Sequence, residues 1–250
     1  MAKNKVLMID TEKFDIAVAR ASSGANISIG TYNEKTQHRA LKYYLEPDPT
    51  FHEVPVGSYI ADICRDGHIY EIQTSAFEAL SSKLEVFLSD YSVTVVYPSV
   101  TINTIMWSDP LTGEITEGKR TVKNKNKYKL LSELIYINQF ICRENFSIKV
   151  IETEISEYRL LDGRGKDRKI KATKCDKVPK SLIDVYDICT VEDIISFVGL
   201  DRFVEYDREG LGKLFSLKGR NLSNSIKVLK MLGILRVERT DGRKHFYKVN

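Results

Sequence analysis

The sequence predicts an α/β protein of the α+β type, and two patterns carry that prediction. Residues 33 to 98 change between helical and extended spacing in the order helix, three strands, helix, strand. Residues 202 to 249 show a second pattern of helix, turn, helix and hairpin. A chain of 250 residues can build two cored domains. We therefore expect one domain at residues 1–178, with its core at 33–98, and linker helices followed by a second domain at residues 179–250.

Turn and capping residues set the limits of the first pattern. Asn33 can cap a helix that ends before Pro47. The Asp66-Gly67 pair is a hairpin signal between the second and third extended runs. The expected elements are a helix at 34–45, strands at 52–56, 58–64 and 68–74, a helix at 76–88 and an apolar strand at 92–98. Later in the chain we expect a basic loop at 119–129, a helix near 128–142, a strand near 147–160 and helical structure at 180–198, whereas residues 1–28 fit no single element.

Two carboxylates are expected to meet across this hairpin. Asp62 lies near the end of one strand, and Glu71 and Gln73 lie on the next strand. Side chains two residues apart in a strand share a face, so Glu71 and Gln73 point the same way, and a turn at Asp66-Gly67 brings Asp62 near Glu71. Two carboxylates held together repel each other, and a divalent cation removes that cost. Oxygen ligands suit Mg²⁺ or Mn²⁺.

The spacing Asp-x(8)-Glu-x-Gln within the αβββαβ order resembles the PD-(D/E)XK nuclease superfamily, over about a quarter of the chain. The resemblance implies a restriction-endonuclease-like core that hydrolyses DNA phosphodiester bonds with Mg²⁺ or Mn²⁺. Glu34 would then supply an outer metal contact, and Asp62 and Glu71 would be the metal ligands. Gln73 stands where the family usually has lysine. Glutamine can orient water but carries no charge, so Lys83 on the following helix is the expected substitute.

Purely structural interpretations of these residues stay open. Asp62 can form a strand-end turn, and Glu71 and Gln73 can be the polar face of a half-exposed hairpin. Lys83 and His38 can be ordinary helix-surface residues. The functional interpretation of His38, which follows Glu34 by one helical turn, is contact with DNA phosphate or with the outer metal shell.

The C-terminal segment is strongly basic. Residues 208 to 248 contain eleven Lys or Arg against three Asp or Glu, whereas the whole chain has a net charge of only +4. Its helix, turn, helix, hairpin order resembles a winged helix-turn-helix, which implies DNA binding by the second helix and the hairpin wing. Winged helices also pack on proteins, so that alternative stays open. The expected nucleic-acid contacts are Lys218, Arg220, Asn221, Asn224, Lys227, Arg243 and Lys244.

Composition limits the classes of protein to which this chain can belong. The four cysteines form no CxxC pair, which argues against a zinc site. No apolar run has the length of a signal peptide or a membrane span, so we expect a cytoplasmic protein without a membrane partner. The expected function is a metal-dependent DNA endonuclease targeted by its winged helix, with DNA as partner and a possible homodimer. A catalytically weak or inactive nuclease-fold regulator is the alternative, and a protein-interaction scaffold is a weaker one.

Overall fold

The structure is a computed structural model that describes residues 10–23, 35–164 and 171–250. Glu34, for which an outer metal contact was predicted, lies outside the described residues. The expected α+β class is confirmed, because helices and a mixed sheet alternate along the chain. Contacts divide the chain into two compact units. Unit 1 comprises residues 1–52, 100–124 and 151–185, and unit 2 comprises residues 53–99, 125–150 and 186–250.

Between residues 35 and 98 the chain follows the expected order of helix, three strands, helix and strand. The helices are α1 (Thr11–Ser23), α2 (Thr36–Leu45) and α3 (Phe77–Phe87), and the strands are β1 (His52–Val56), β2 (Tyr59–Arg65), β3 (His68–Ile72), β4 (Ser92–Ser108) and β5 (Ile115–Val122). β2 and β3 pair antiparallel, and β3 pairs parallel with β4. The turn between β2 and β3 places Asp66 and Gly67 at φ of 50° and 76°. Positive φ at both positions suits the right-handed twist of a two-residue hairpin, as the sequence indicated.

The second half begins with short helical turns and long strands. Single turns at Asn126–Lys129, Leu134–Tyr136 and Asn138–Phe140 flank α4 (Leu130–Glu133), and the strands β6 (Phe146–Leu160) and β7 (Thr173–Ile188) follow. Among the described residues the main sheet has the order β1-β2-β3-β4-β6-β7, and β5 pairs with β4.

Three predictions for this part of the chain were wrong. Residues 180–188, expected to be linker helix, belong to β7, and helix α5 begins only at Val191 and ends at Val198. Apolar residues at 178, 182 and 185 have helical spacing, but Pro179 cannot donate within a helix and is tolerated on an edge strand. Residues 119–122, expected to be loop, belong to β5. The helix expected near 128–142 is a series of short turns.

The C-terminal segment has the expected helix, turn, helix, hairpin order. It consists of β8 (Tyr206–Asp207), α6 (Arg208–Phe215), α7 (Gly219–Met231), β9 (Leu235–Asp241) and β10 (Lys244–Val249). β10 pairs antiparallel with both β8 and β9, so the hairpin belongs to a small three-stranded sheet.

Unit 2 has a continuous apolar core that includes the C-terminal segment. Leu84 and Phe87 of α3 belong to the same buried cluster as Phe215 of α6 and Leu229 of α7. α7 packs on α4, and both Ser225 and Val228 of α7 are fully buried. The C-terminal segment therefore folds as part of unit 2 and not as a separately tethered module.

An ammonium group closes one edge of this core. Lys127 Nζ donates to Tyr186 Oη at 2.5 Å and lies 4.2 Å from the centroid of that ring. The rings of Tyr128 and Phe197 lie within 6 Å of the same nitrogen. Aromatic faces attract a cation, so this contact joins the turn after β5 to α5 within unit 2.

Unit 1 pairs two helices with the outer part of the sheet. Phe14 of α1 is fully buried and meets Tyr44 of α2 edge to face at 5.4 Å. Glu157 of β6 is 5% exposed, accepts a hydrogen bond from Arg159 at 2.6 Å and pairs with Lys174.

Trp107 in unit 1 lies against the backbone of the neighbouring strand. A Cβ added to Gly118 would meet Trp107 Nε1 at 2.3 Å, which leaves no room for a side chain. The indole therefore requires glycine at position 118.

Candidate functional site

The ladder between β2 and β3 stops one step before the predicted carboxylates. Its last paired residues are Ile63 and Tyr70, and Asp62 and Glu71 are next in register. Where the ladder ends, backbone N–H groups lose their cross-strand partners and need other acceptors. Asp62 Oδ2 accepts from the backbone N–H of Ile72 at 2.7 Å, and Glu71 Oε2 lies 3.5 Å from the backbone nitrogen of Asp62. The two carboxylates thus lie side by side, as the sequence predicted.

Lys83 completes this group from the opposite side. Its position on α3 brings Nζ to 2.5 Å from Glu71 Oε1, and the side chains are 18% and 6% exposed respectively. Lys83 Nζ also lies 5.4 Å from the centroid of the Phe87 ring. A short charge-assisted contact in a mostly buried setting is stronger than a surface ion pair. Helix α3 therefore brings the ammonium group of Lys83 into contact with Glu71.

Burial dominates the electrostatics of Glu71. Loss of hydration and the neighbouring charge of Asp62 raise the pKa of Glu71 to about 7, and the contact with Lys83 offsets part of this rise. Burial and Asp62 therefore favour the protonated form of this carboxyl, whereas Lys83 favours its charged form.

Gln73 contacts the backbone of the turn that follows β3. Its Nε2 donates to the Ser75 carbonyl at 2.5 Å and lies 3.5 Å from the Ala76 carbonyl. Ala76 has φ of 59°, a strained conformation for a residue with a side chain. The amide of Gln73 thus supports the strained turn between β3 and α3.

Sequence reasoning did not find Glu133 and Tyr97, which lie close to the start of α3. Glu133 Oε2 accepts from the backbone N–H of Phe77 at 3.3 Å, which serves a helix whose first residue lacks a side-chain cap. Burial and the charge of Glu133 raise the pKa of Tyr97 to about 12. These residues come from separate elements, so no local spacing could have indicated them.

The remaining predicted site residues are distributed over both units. His38 is half-buried on α2 in unit 1, whereas Asp62, Glu71, Gln73 and Lys83 belong to unit 2. Within the described ranges, no three His, Cys, Asp or Glu side chains are grouped to hold a metal ion. Asp62 and Glu71 are the two predicted ligands that the structure brings together. As paired carboxylates they fit Mg²⁺ or Mn²⁺ by donor chemistry.

The predicted nucleic-acid contacts form an exposed surface on the C-terminal segment. All are exposed except Asn224, which is half-buried. Lys218, Arg243 and Lys244 line a groove of about 1010 Å³ between the α6–α7 turn and the β9–β10 hairpin, and Lys227 lines a smaller groove beside it. Arg208 and Tyr247 border both grooves. The predicted residues Lys227 of α7 and Arg243 and Lys244 of the β9–β10 hairpin therefore border neighbouring grooves.

The fold and these contacts define an α+β protein that has a carboxylate–lysine group beside its sheet and a basic C-terminal segment. The chain belongs to the family described as "Domain of unknown function (DUF8091)", whose model matches residues 35–189. It is also similar to a protein of Treponema pallidum (strain Nichols) named "Uncharacterized protein", with 27% identity over 154 residues. That alignment covers 60% of this chain and 60% of the relative. No solved structure gives a significant match. Among the described residues, no helix is long and apolar enough to cross a membrane.

Proposed function

We propose that this protein is a metal-dependent DNA endonuclease whose site consists of Asp62, Glu71 and Lys83. The 2.5 Å contact between Lys83 and Glu71 carries the proposal, because it places a cationic group at the carboxylate pair that lacks the usual lysine at position 73. A lysine that only covered the surface of α3 would not be expected to reach a buried carboxylate.

The roles of the residues follow from their chemistry. Asp62 and Glu71 would hold Mg²⁺ or Mn²⁺, with Glu34 as a further predicted contact. The bound cation would supply a water of lowered pKa and neutralise phosphate charge. Lys83 would offer an ammonium close to the carboxylates for the negative charge that develops on the phosphate. Gln73 holds the turn that leads into α3, and therefore positions Lys83 without joining the chemistry.

The C-terminal segment would act as a winged helix-turn-helix and bind DNA. Its exposed face carries Lys218, Arg220, Asn221, Lys227, Arg243 and Lys244, with Asn224 half-buried among them. These are the side chains that contact phosphates and base edges in nucleic-acid complexes. Since the segment shares the core of unit 2 with α3, DNA bound to it would be held on the same compact unit as Lys83.

Cleavage of plasmid and end-labelled DNA in Mg²⁺ or Mn²⁺ tests the proposal. We expect Asp62→Asn, Glu71→Gln and Lys83→Met each to lower the rate by at least about 100-fold. Glu85→Gln is the matched control, because Glu85 is an exposed acid on the same helix. Unchanged cleavage in the three site variants would refute the assignment.

The same contact favours a second candidate, a DNA-binding regulator without nuclease activity. Lys83 already neutralises Glu71, and both carboxylates serve backbone donors at the end of the ladder. Such a protein would bind DNA with affinity that falls steeply as salt rises, because phosphate contacts release counterions. Salt-dependent binding without cleavage under any metal condition would select this candidate, and cleavage that depends on Glu71 would exclude it.

A further inference from the structure

The larger groove of the C-terminal segment has features that phosphate contact alone does not require. Its floor is apolar and is built from Leu217, Leu222 and Tyr247, each less than a tenth exposed. Its volume of about 1010 Å³ is in the range of small-molecule sites. A duplex backbone presents phosphates and sugars but no exposed base face, so it would cover little of such a floor.

The charge at the rim is strongly positive. Lys218, Arg243 and Lys244 are exposed, and none of the residues that the structure describes gives them an ion-pair partner. The two acidic residues of the rim are already engaged. Asp207 Oδ1 accepts from the backbone N–H of Gly210 at 2.7 Å, and Glu209 pairs with Lys213 at 2.7 Å. The groove therefore combines an apolar floor with free positive charge.

An aromatic pair stands at the wing side of the groove. The rings of His245 and Tyr247 have centroids 6.4 Å apart and are tilted by 48°. His245 is exposed, so its ring can meet a ligand while Tyr247 supports the floor. Flat aromatic surfaces beside cations are the means by which proteins hold unpaired nucleotides, because each base offers a π-face and each linkage a phosphate.

We propose that this groove binds an unpaired nucleotide at the end of a DNA strand. The phosphate would lie against Lys218, Arg243 and Lys244, and the base would lie over the apolar floor and the His245 ring. This inference rests on the DNA-binding part of the proposed function and adds a substrate class, namely DNA with overhanging or frayed ends.

The test is fluorescence anisotropy with the full chain in EDTA, so that cleavage cannot take place. Three probes share one duplex: a blunt end, an overhang of four nucleotides, and an overhang of four abasic units that keeps the phosphates and removes the bases. We expect the natural overhang to bind at least about tenfold more tightly than the blunt end, and the abasic overhang to lose most of this gain. Equal binding of blunt and overhanging probes, or equal binding of natural and abasic overhangs, would overturn the proposal.

Charge reversal locates the effect in the groove. We expect the double variant Lys218→Glu, Arg243→Glu to bind the overhang at least about tenfold more weakly than the parent chain. Lys248→Glu is the matched control, since Lys248 lies on β10 but does not line the groove, and it should change binding less than the double variant. Circular dichroism checks folding, and the comparison of probes on the unmodified chain needs no variant.

The outcome is separable from that of the nuclease proposal. Preference for the overhang without cleavage in Mg²⁺ supports the groove assignment. That result counts only against nuclease activity. Cleavage without any preference for an unpaired end overturns the groove assignment and leaves the Asp62–Glu71–Lys83 site intact.

Discussion

Replacing Lys83 by methionine should destabilise the protein in a manner that depends on pH. Methionine keeps the length and apolar stem of lysine but removes the ammonium from Glu71, whose side chain is only 6% exposed. Removing one partner of a buried ion pair costs about 3–5 kcal/mol when the other partner stays charged. At pH 8 the medium lies only about one pH unit above the Glu71 pKa of about 7, so without Lys83 the carboxyl can take up a proton, and the variant should lose at most about 1.4 kcal/mol more at pH 8 than at pH 5.

The pH dependence follows from the raised pKa of Glu71, about 7 in the folded chain against an ordinary value near 4.5. A carboxyl with a raised pKa favours the folded state below its unfolded pKa, and that contribution is lost as pH rises from about 4.5 to about 7. At pH 5 the folded protein therefore already holds Glu71 protonated, and loss of Lys83 should cost about 1 kcal/mol or less. Glu71→Gln in the Lys83→Met background removes the unpaired charge and should recover most of the loss at pH 8.

Urea unfolding followed by far-UV circular dichroism measures these differences at both pH values. The Glu85→Gln variant is the control for a change elsewhere on α3. An equal loss at pH 5 and pH 8, or a double variant no more stable than Lys83→Met at pH 8, would refute the reasoning.

Three further predictions concern structural contacts. Lys127→Met should lower the free energy of unfolding by about 1–2 kcal/mol, because the contacts of the ammonium with its aromatic partners are lost. Thermal unfolding measures this loss, and an unchanged midpoint would contradict the prediction. Gly118→Ala should destabilise the fold by about 1–3 kcal/mol, since the new methyl group and the Trp107 indole cannot occupy the same space. Trp107 is the single tryptophan, so its fluorescence should shift, and an unshifted spectrum would exclude the clash. Burial alone would raise the pKa of Glu157, but Arg159, Lys174 and Asn103 together lower it. Glu157→Gln should therefore lower the free energy of unfolding near pH 7, as measured by urea unfolding, and the loss should fade as pH drops below about 4.5. A loss that does not change with pH would contradict the lowered pKa of Glu157.

Local signals predicted the parts of the site that lie close in sequence. The Asp66-Gly67 turn fixed the register that sets Asp62 beside Glu71. Helical spacing placed Lys83 on α3 at the edge of its apolar face. The contact of Lys83 with Glu71 was within reach of sequence reasoning, because strand and helix follow each other directly. The support that Gln73 gives to the strained Ala76 turn was not, because a side-chain direction cannot be derived from spacing.

Tertiary contacts decided what the sequence could not. Residues 178, 182 and 185 have a helical period, yet pairing at the edge of the sheet makes this segment a strand. Helix α1 also could not be predicted from local spacing, because its packing depends on the contact of Phe14 with Tyr44 of α2. Sharing of one apolar core by α3 and α7 also required distant contacts, which no local pattern records.

A manganese-soaked crystal tests the central claim most directly, because anomalous scattering locates the ion without reference to activity. We expect a peak at the carboxylates of Asp62 and Glu71, with Lys83 Nζ moved away from Glu71 Oε1. A crystal soaked to saturation with no peak there, and with the Lys83–Glu71 contact unchanged at 2.5 Å, would contradict a metal-dependent site.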